Sequence, residues 1–220
     1  MIGVPRVIAP QTRLRYFTLK APSALRLPER SKPSNNPFNA QGERSATLRG
    51  SVQNALKDVM RGYPQGVTVV TTKDHGVLKG ITVSSFISVS LQPPLILVSI
   101  AKDSGFHEAF RNSTEFAVNF LAEDQKSVSD RFAGRLKLAD RFQGLDISFD
   151  STSAPIIGGV KAFVECKTKG SYEEGDHSLI IGEVVNAVRL SEKSPLVYQN
   201  QQYTTTFPSD YPAPPSDIVY

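Results

Sequence analysis

Short runs of β-branched and apolar residues, separated by turn residues, constrain the fold of this chain more than any other feature. Residues 67–72 (VTVVTT) and 95–100 (LILVSI) have the composition of buried strands, and a KDHG turn follows the first of them. Short helices are expected at 51–62, 104–112 and 124–134. About seven strands without a regular alternation of strand and helix predict a mainly β protein, built as an antiparallel barrel with a few short helices.

Composition and missing motifs exclude several kinds of protein. No run of about 18 apolar residues occurs, so no membrane-spanning helix is expected. The single cysteine, Cys166, cannot form an intrachain disulfide, and three histidines leave little material for a structural zinc site. Glycine-rich phosphate loops, the Gly-x-Ser-x-Gly elbow and the His-Glu-x-x-His pair are absent as well. A phosphorylated cofactor would therefore need hydroxyls, backbone amides and an isolated cation.

The positive charge is concentrated in the first 50 residues. That segment holds nine Lys and Arg and two Glu, whereas the rest of the chain holds 16 basic and 19 acidic residues. Nucleic acid is not expected as a partner, because the body of the chain has no surplus of positive charge. The Arg-rich stretch without acids before Glu29 is typical of a transit peptide, so we expect a mitochondrial protein. A disordered basic tail is the alternative.

Three parts of the chain differ in composition. Residues 1–50 are predicted to be a targeting segment followed by a linker rich in Pro, Ser and Asn. Residues 51–204 are predicted to form the folded domain. Residues 205–220 contain too many prolines to belong to the core and are predicted to be a surface tail.

A hydroxyl-rich segment distinguishes the predicted domain. Residues 80–90 (GITVSSFISVS) carry five Ser and Thr side chains and precede Pro93, Pro94 and an apolar strand. Together with the pieces at 63–72, 116–125, 131–134, 140–145 and 175–185, this segment resembles the flavin reductase family, and the pieces occur in the family's order. The resemblance covers residues 51–204. It implies an FMN-binding split barrel, a homodimer, and FMN or FAD with NADH or NADPH as the bound molecules.

The resemblance also implies roles for individual positions. Flavin contacts are implied for Thr82, Val83, Ser84, Ser85, Ser99, Ile100 and Phe132, and the flavin phosphate is implied to lie at Lys102 and Ser104. Asp176 and His177 match the family's Gly-Asp-His motif near the nicotinamide. Hydride transfer needs no proton removal by a side chain, so His177 is expected to position the dinucleotide.

Two functions remain open at this point. The first is an NAD(P)H-dependent flavin reductase that transfers hydride to FMN or FAD and supplies reduced flavin to oxygen or to a partner monooxygenase. The second is a non-catalytic FMN-binding protein on the same barrel. The turn at Asp176 and His177 separates them, because only a reductase needs a second pocket for the nicotinamide.

Several other side chains have ordinary structural interpretations. Alternation along residues 160–168 predicts that Cys166 faces the core and that Glu165 lies on the opposite side of the strand with Lys161 and Lys167. His75 and His107 are expected on the surface, with contact to the flavin phosphate as the alternative for His107. Core or dimer-interface positions are expected for Phe86, Phe116, Phe120 and Phe163.

Overall fold

The computed structural model describes residues 44–207, with side chains from residue 50 onward. Its helices are α1 (Arg44–Gly62), α2 (His107–Arg111) and α3 (Lys126–Phe132). Its strands are β1 (Gln65–Gly66), β2 (Thr68–Asp74), β3 (Val77–Val83), β4 (Phe86–Leu91), β5 (Pro94–Ala101), β6 (Glu115–Phe120), β7 (Ile147–Ser148), β8 (Ile156–Ile157), β9 (Ala162–Glu174), β10 (His177–Arg189), β11 (Leu196–Gln199) and β12 (Gln202–Thr205). The predicted targeting segment and most of the predicted tail lie outside the described residues.

The main sheet has seven strands in the order β3-β2-β6-β9-β10-β5-β4, and every neighbouring pair is antiparallel. After β3 the chain crosses to the other end of this sheet. There Ser99 N donates to Ser85 O at 3.1 Å, and Ser85 Oγ donates to Ser99 O at 2.6 Å. These bonds extend the β4–β5 pairing to Ser85, and the two-residue link of Ser84 and Ser85 between β3 and β4 keeps the two ends of the sheet together, as a barrel requires. The predicted mainly β, antiparallel barrel fold is confirmed.

Two hydrophobic cores lie on opposite faces of the sheet. The barrel interior contains Val70, Val98, Ile100, Phe116, Val118 and Ile180. The second core lies under α3 and contains Val69, Leu121, Phe132, Phe142, Ile157 and Leu196. A Cβ added at Gly80 would lie 2.5 Å from the Phe132 ring, so the missing side chain lets α3 pack directly on β3. This close packing fixes the position of α3 beside the end of β3.

Several elements differ from the predictions. Helix α1 begins at Arg44 rather than at residue 51, so residues 44–50 belong to a helix and not to a linker. Helix α2 begins at His107 rather than at Ser104, because residues 102–106 form turns and bends. The pairing of β9 with β10 shifts register between Ile181 and Gly182, where Lys169 is the extra residue on β9. The β11–β12 hairpin is not predicted by the sequence.

Glu165 lies on the face of β9 opposite Cys166, as the alternation predicts. Its side chain is fully buried, because residues 150–154 cover the face of β9 opposite the barrel interior. The carboxylate accepts hydrogen bonds from Ser151 N (3.0 Å), Thr152 N (2.8 Å), Thr152 Oγ1 (2.9 Å) and Asn186 Nδ2 (2.8 Å). Burial raises the pKa of Glu165, but the hydrogen bonds from Asn186, Ser151 and Thr152 outweigh it and hold the pKa below its ordinary value. Glu165 therefore anchors the loop as a carboxylate.

Of the predictions for Cys166, His75 and His107, the first two are confirmed and the third is wrong. Cys166 is buried as predicted, and burial with the neighbouring Glu165 charge raises the pKa of its thiol to about 12, which makes it unreactive. His75 is exposed as predicted. The surface position predicted for His107 is wrong, because its ring is buried with Nε2 at 2.8 Å from Ser178 Oγ.

The four phenylalanines pack largely as expected. Phe116 and Phe163 are buried, and the half-buried rings of Phe86 and Phe120 meet edge to face at 4.9 Å.

None of the helices within residues 44–207 combines the length and the apolar character needed to cross a bilayer. Within the same residues, no group of three or more His, Cys, Asp or Glu side chains could hold a metal ion.

Candidate functional site

A cleft lies where the end of β3 meets α3 and the β11–β12 hairpin. This β3 cleft has a volume of about 160 Å³ and is lined by Val67, Thr82, Val83, Ser84, Ser129, Ala133, Arg135, Tyr198 and Tyr203. A second cleft of about 340 Å³, the α1 cleft, is lined by Lys57, Met60, Arg61, Tyr63, Gln65, Ser84, Tyr198 and Gln201. Because both clefts include Ser84 and Tyr198, they form one continuous groove.

The three predicted flavin residues in this groove are held by specific bonds. Thr82 Oγ1 donates to Ser129 O at 2.8 Å and so ties β3 to α3. Val83 O accepts a hydrogen bond from Thr68 Oγ1 at 2.9 Å, and Ser84 Oγ donates to Gln65 Oε1 at 3.0 Å. The groove therefore places hydroxyls next to the apolar Val83 side chain.

The wall of the β3 cleft opposite Thr82, Val83 and Ser84 carries residues that the sequence analysis missed. Arg135 donates to Asp130 Oδ1 at 2.8 Å and lies over the rings of Tyr198 and Tyr203, at 5.9 and 5.5 Å from their centroids. Tyr203 Oη also donates to Asp130 Oδ1 at 3.0 Å. The hydrogen bond from Lys126, with those from Tyr203 and Arg135, holds the pKa of Asp130 below its ordinary value. Asp130 is thus an anion that fixes the guanidinium.

A weak turn signal explains why the two tyrosines were missed. Asn200 and Gln201 join β11 to β12 with positive φ angles of 50° and 62°, although neither residue is glycine. The apolar and polar alternation of LVYQ and QYTT is the signal that could have identified the hairpin.

Four other predicted flavin residues lie outside the groove. Ser85 and Ser99 bond to each other directly beside Ser84, on the outer face of β5. Ile100 and Phe132 are fully buried in the two cores, so their side chains cannot contact a ligand in the groove. The structure assigns these two side chains to packing.

The predicted phosphate site at Lys102 and Ser104 is not preformed. Lys102 Nζ lies 3.1 Å from Glu173 Oε2, and Arg111 lies 3.6 Å from the same carboxylate. Ser104 Oγ accepts the N–H of Phe106 at 3.3 Å within a turn, and no helix begins there. The helix N-terminus predicted at Ser104 is wrong, because α2 begins at His107, and Lys102 is paired with Glu173 in this structure.

Asp176 and His177 lie at the tip of the β9–β10 hairpin. His177 Nδ1 lies 2.7 Å from Asp176 Oδ1, and this hydrogen bond lowers the pKa of Asp176. His177 pairs with Ala101 and Leu179 pairs with Ser99, so His177 and Ser99 share the outer face of the sheet. Ser84, Ser85, Ser99 and His177 therefore form a path from the groove to the hairpin.

A family model described as a flavin reductase like domain matches residues 60–206, which include every part of the groove except Lys57. The chain belongs to the flavin reductase-like family. This confirms the resemblance predicted from the sequence.

Named relatives of this flavin reductase-like domain include two bacterial reductases. The FMN reductase (NADH) SmoA of Agrobacterium fabrum is 40% identical over 156 residues, which cover 70% of this chain and 83% of SmoA. The reductase component of the flavin-dependent trigonelline monooxygenase of Acinetobacter baylyi is 46% identical over 132 residues. That match covers 60% of this chain and 42% of the relative, so the chain spans less than half of that protein.

Solved structures share the split-barrel fold. The NADH:FAD oxidoreductase SgcE6 of Streptomyces globisporus, in complex with NAD and FAD fragments, superposes with a TM-score of 0.67 at 32% identity. The superposition covers 73% of this chain and 96% of SgcE6.

The groove of this flavin reductase-like domain fits a flavin by the chemistry of its lining. Val67, Val83 and Ala133 are apolar neighbours for a flat ring, while Thr82 and Ser84 supply hydroxyls for a polyhydroxyl chain. Lys57 and Arg61 bring positive charge to the larger α1 cleft, where Arg61 also pairs with Asp58 at 2.9 Å. The groove thus combines apolar side chains, hydroxyls and positive charge in one place.

Proposed function

We propose that this domain is an NAD(P)H-dependent flavin reductase that binds FMN or FAD in the groove and supplies reduced flavin to oxygen or to a partner monooxygenase. The observation that carries the proposal is the continuity of the groove with the path to His177, because a reductase needs two adjoining sites. Relatives named as an FMN reductase (NADH) and as reductase components of monooxygenases support it. The named relatives favour this proposal over the non-catalytic FMN-binding alternative.

The protein's part in the reaction is to hold two rings in contact. When bound, the flavin accepts a hydride from the reduced nicotinamide and then carries one negative charge. Thr82 and Ser84 orient the ligand in the β3 cleft. His177 stands on the outer face beside Ser99, where it can position the dinucleotide.

The experiment mixes the purified chain with FMN and excess NADH without oxygen and follows the absorbance of oxidised flavin. Bleaching that continues over many equivalents of FMN per chain is expected. Binding of FMN without bleaching by either NADH or NADPH would favour the non-catalytic alternative and contradict the proposal.

Replacing His177 with alanine is expected to raise the KM for NADH by about tenfold while the KM for FMN changes less than about twofold. The reason is that His177 lies on the outer face, away from the residues that line the groove. Steady-state kinetics with each substrate varied in turn measures the two constants. His75→Ala is the matched control, because His75 also follows an aspartate in a hairpin turn and is exposed. Equal effects of His177→Ala on both constants would contradict the positioning role.

We further propose that the domain forms a homodimer through the outer face of β4 and its neighbours. Ile87, Val89 and Leu91 are 57%, 50% and 65% exposed on this edge strand. Ile87 lies beside Leu97 of β5, and Leu97 lies beside Ile181 of β10, so the apolar surface continues across three strands. A second copy of the same face would bury these side chains by two-fold symmetry.

The double variant Ile87→Glu, Val89→Glu is expected to be monomeric because it would bury charge in the interface. Light scattering after gel filtration should give 24.1 kDa for the variant and twice that mass for the unchanged chain. Val77→Glu, at an exposed valine outside this face, is the control. A dimer that persists in the double variant would contradict the proposed interface.

The mitochondrial destination stays a proposal that rests on the composition of residues 1–50 alone.

A further inference from the structure

Arg135 is the single cationic side chain among the described residues that line the β3 cleft. It follows α3 and faces Thr82, Val83 and Ser84 across the cleft. Its side chain is half exposed, so part of the guanidinium remains accessible to a ligand. No role for this arginine follows from the sequence patterns.

The guanidinium is held in one orientation by three neighbours. Nη1 donates to Asp130 Oδ1 at 2.8 Å and to Tyr203 Oη at 3.4 Å, and Nη2 donates to Tyr198 Oη at 3.4 Å. The rings of the two tyrosines meet at 5.3 Å and support its flat face. Of the five N–H groups of an arginine, Nε–H and one on Nη2 therefore have no partner within residues 44–207.

The cluster around Arg135 keeps a positive charge. Asp130 is shared between Arg135 and Lys126, whose Nζ lies 2.6 Å from Asp130 Oδ2. Two cations thus face one carboxylate, and an arginine stays protonated in any protein environment. A fixed positive charge at the edge of a small cleft attracts the ligand form that carries negative charge.

We propose that Arg135 contacts the N1 and C2 carbonyl edge of the flavin ring and stabilises the negative charge of its reduced form. This inference rests on the proposed function. The β3 cleft favours the ring over the phosphate, because apolar and aromatic residues, among them Val67, Val83, Tyr198 and Tyr203, line it. The phosphate has more room in the adjoining α1 cleft, where Lys57 lies with the ion pair of Arg61 and Asp58.

The test compares the affinity of the chain for oxidised and for reduced FMN by calorimetry without oxygen, and repeats both titrations with riboflavin. In Arg135→Gln, the dissociation constant for reduced FMN is expected to rise about tenfold or more, with less than about a threefold rise for oxidised FMN. Riboflavin should show the same pattern, because it has the ring but no phosphate. Arg135→Lys keeps the charge and should recover part of the affinity for reduced FMN.

Lys137→Gln is the matched control. Lys137 is an exposed cation two residues after Arg135, and it neither lines the β3 cleft nor bonds to Asp130 in the described structure. Its removal should change both affinities by less than about twofold. Circular dichroism of each variant verifies the fold.

Three results would overturn the inference. An equal loss of affinity for both redox forms, or no loss, would show that Arg135 does not respond to the charge of the ring. A loss for FMN without a loss for riboflavin would assign Arg135 to the phosphate instead. Failure of the unchanged chain to bind either form would overturn the proposed function, and this inference with it.

Discussion

Phenylalanine in place of Ser84 is expected to lower the affinity for FMN by about 100-fold or more, because a ring would fill the junction of the two clefts. Ser84 lines both clefts, and its hydroxyl bonds to Gln65 at 3.0 Å. The barrel should remain folded, since the side chain is only half-buried and lies outside both cores. Quenching of flavin fluorescence on titration with the protein measures the affinity, and thermal unfolding measures the stability.

Ser88→Phe provides the matched control for this experiment. Ser88 belongs to the same hydroxyl-rich segment but is exposed on β4 and lines neither cleft. Its replacement should leave FMN affinity within about twofold of the unchanged chain. Equal affinity of the Ser84 and Ser88 variants for FMN would show that flavin binds elsewhere.

Removal of the Glu165 carboxylate is expected to have the largest effect on stability. In Glu165→Ala, the donors of Ser151, Thr152 and Asn186 lose their acceptor inside the protein, so the free energy of unfolding should fall by about 3 kcal/mol. Urea denaturation measures this change. The control is Glu183→Ala, since Glu183 forms an exposed ion pair with Lys169 and should contribute less than about 1 kcal/mol. Equal effects of the two variants would contradict the anchoring role of Glu165.

The contribution of Glu165 should also depend on pH. Its pKa in the folded chain lies below the ordinary value of 4.5, so the charged form stabilises the fold above that value. The contribution should disappear as the pH falls below 4.5 and through the folded-state pKa. The difference in unfolding free energy between the unchanged chain and Glu165→Gln should therefore shrink on acidification. A difference that grew on acidification would contradict the ionised state of the carboxylate.

The strands were predictable because their β-branched runs are long and punctuated by turns. Residues 67–72 and 95–100 fall largely within β2 and β5, and Thr82, Val83 and Ser84, for which the family resemblance implies flavin contacts, line the groove. The order of the family's motifs identified the position of the flavin site, which the periodicity of apolar residues alone does not specify.

The errors share one physical cause: long-range packing that no local pattern encodes. The alternation places Glu165 opposite Cys166 correctly, but it does not show that residues 150–154 cover this face of β9. His107 is polar and follows a turn, yet α2 packs it against Ser178 of the distant strand β10. Arg135 was missed because its importance depends on Tyr198 and Tyr203, more than 60 residues later in the sequence.

The crystal structure of the chain with FMN tests the central claim most directly. The account predicts that the ring lies in the β3 cleft between Val83 and Arg135, with the phosphate toward Lys57 and Arg61. Well-defined FMN bound instead beside Lys102 and Ser104, with the β3 cleft left to solvent, would contradict it.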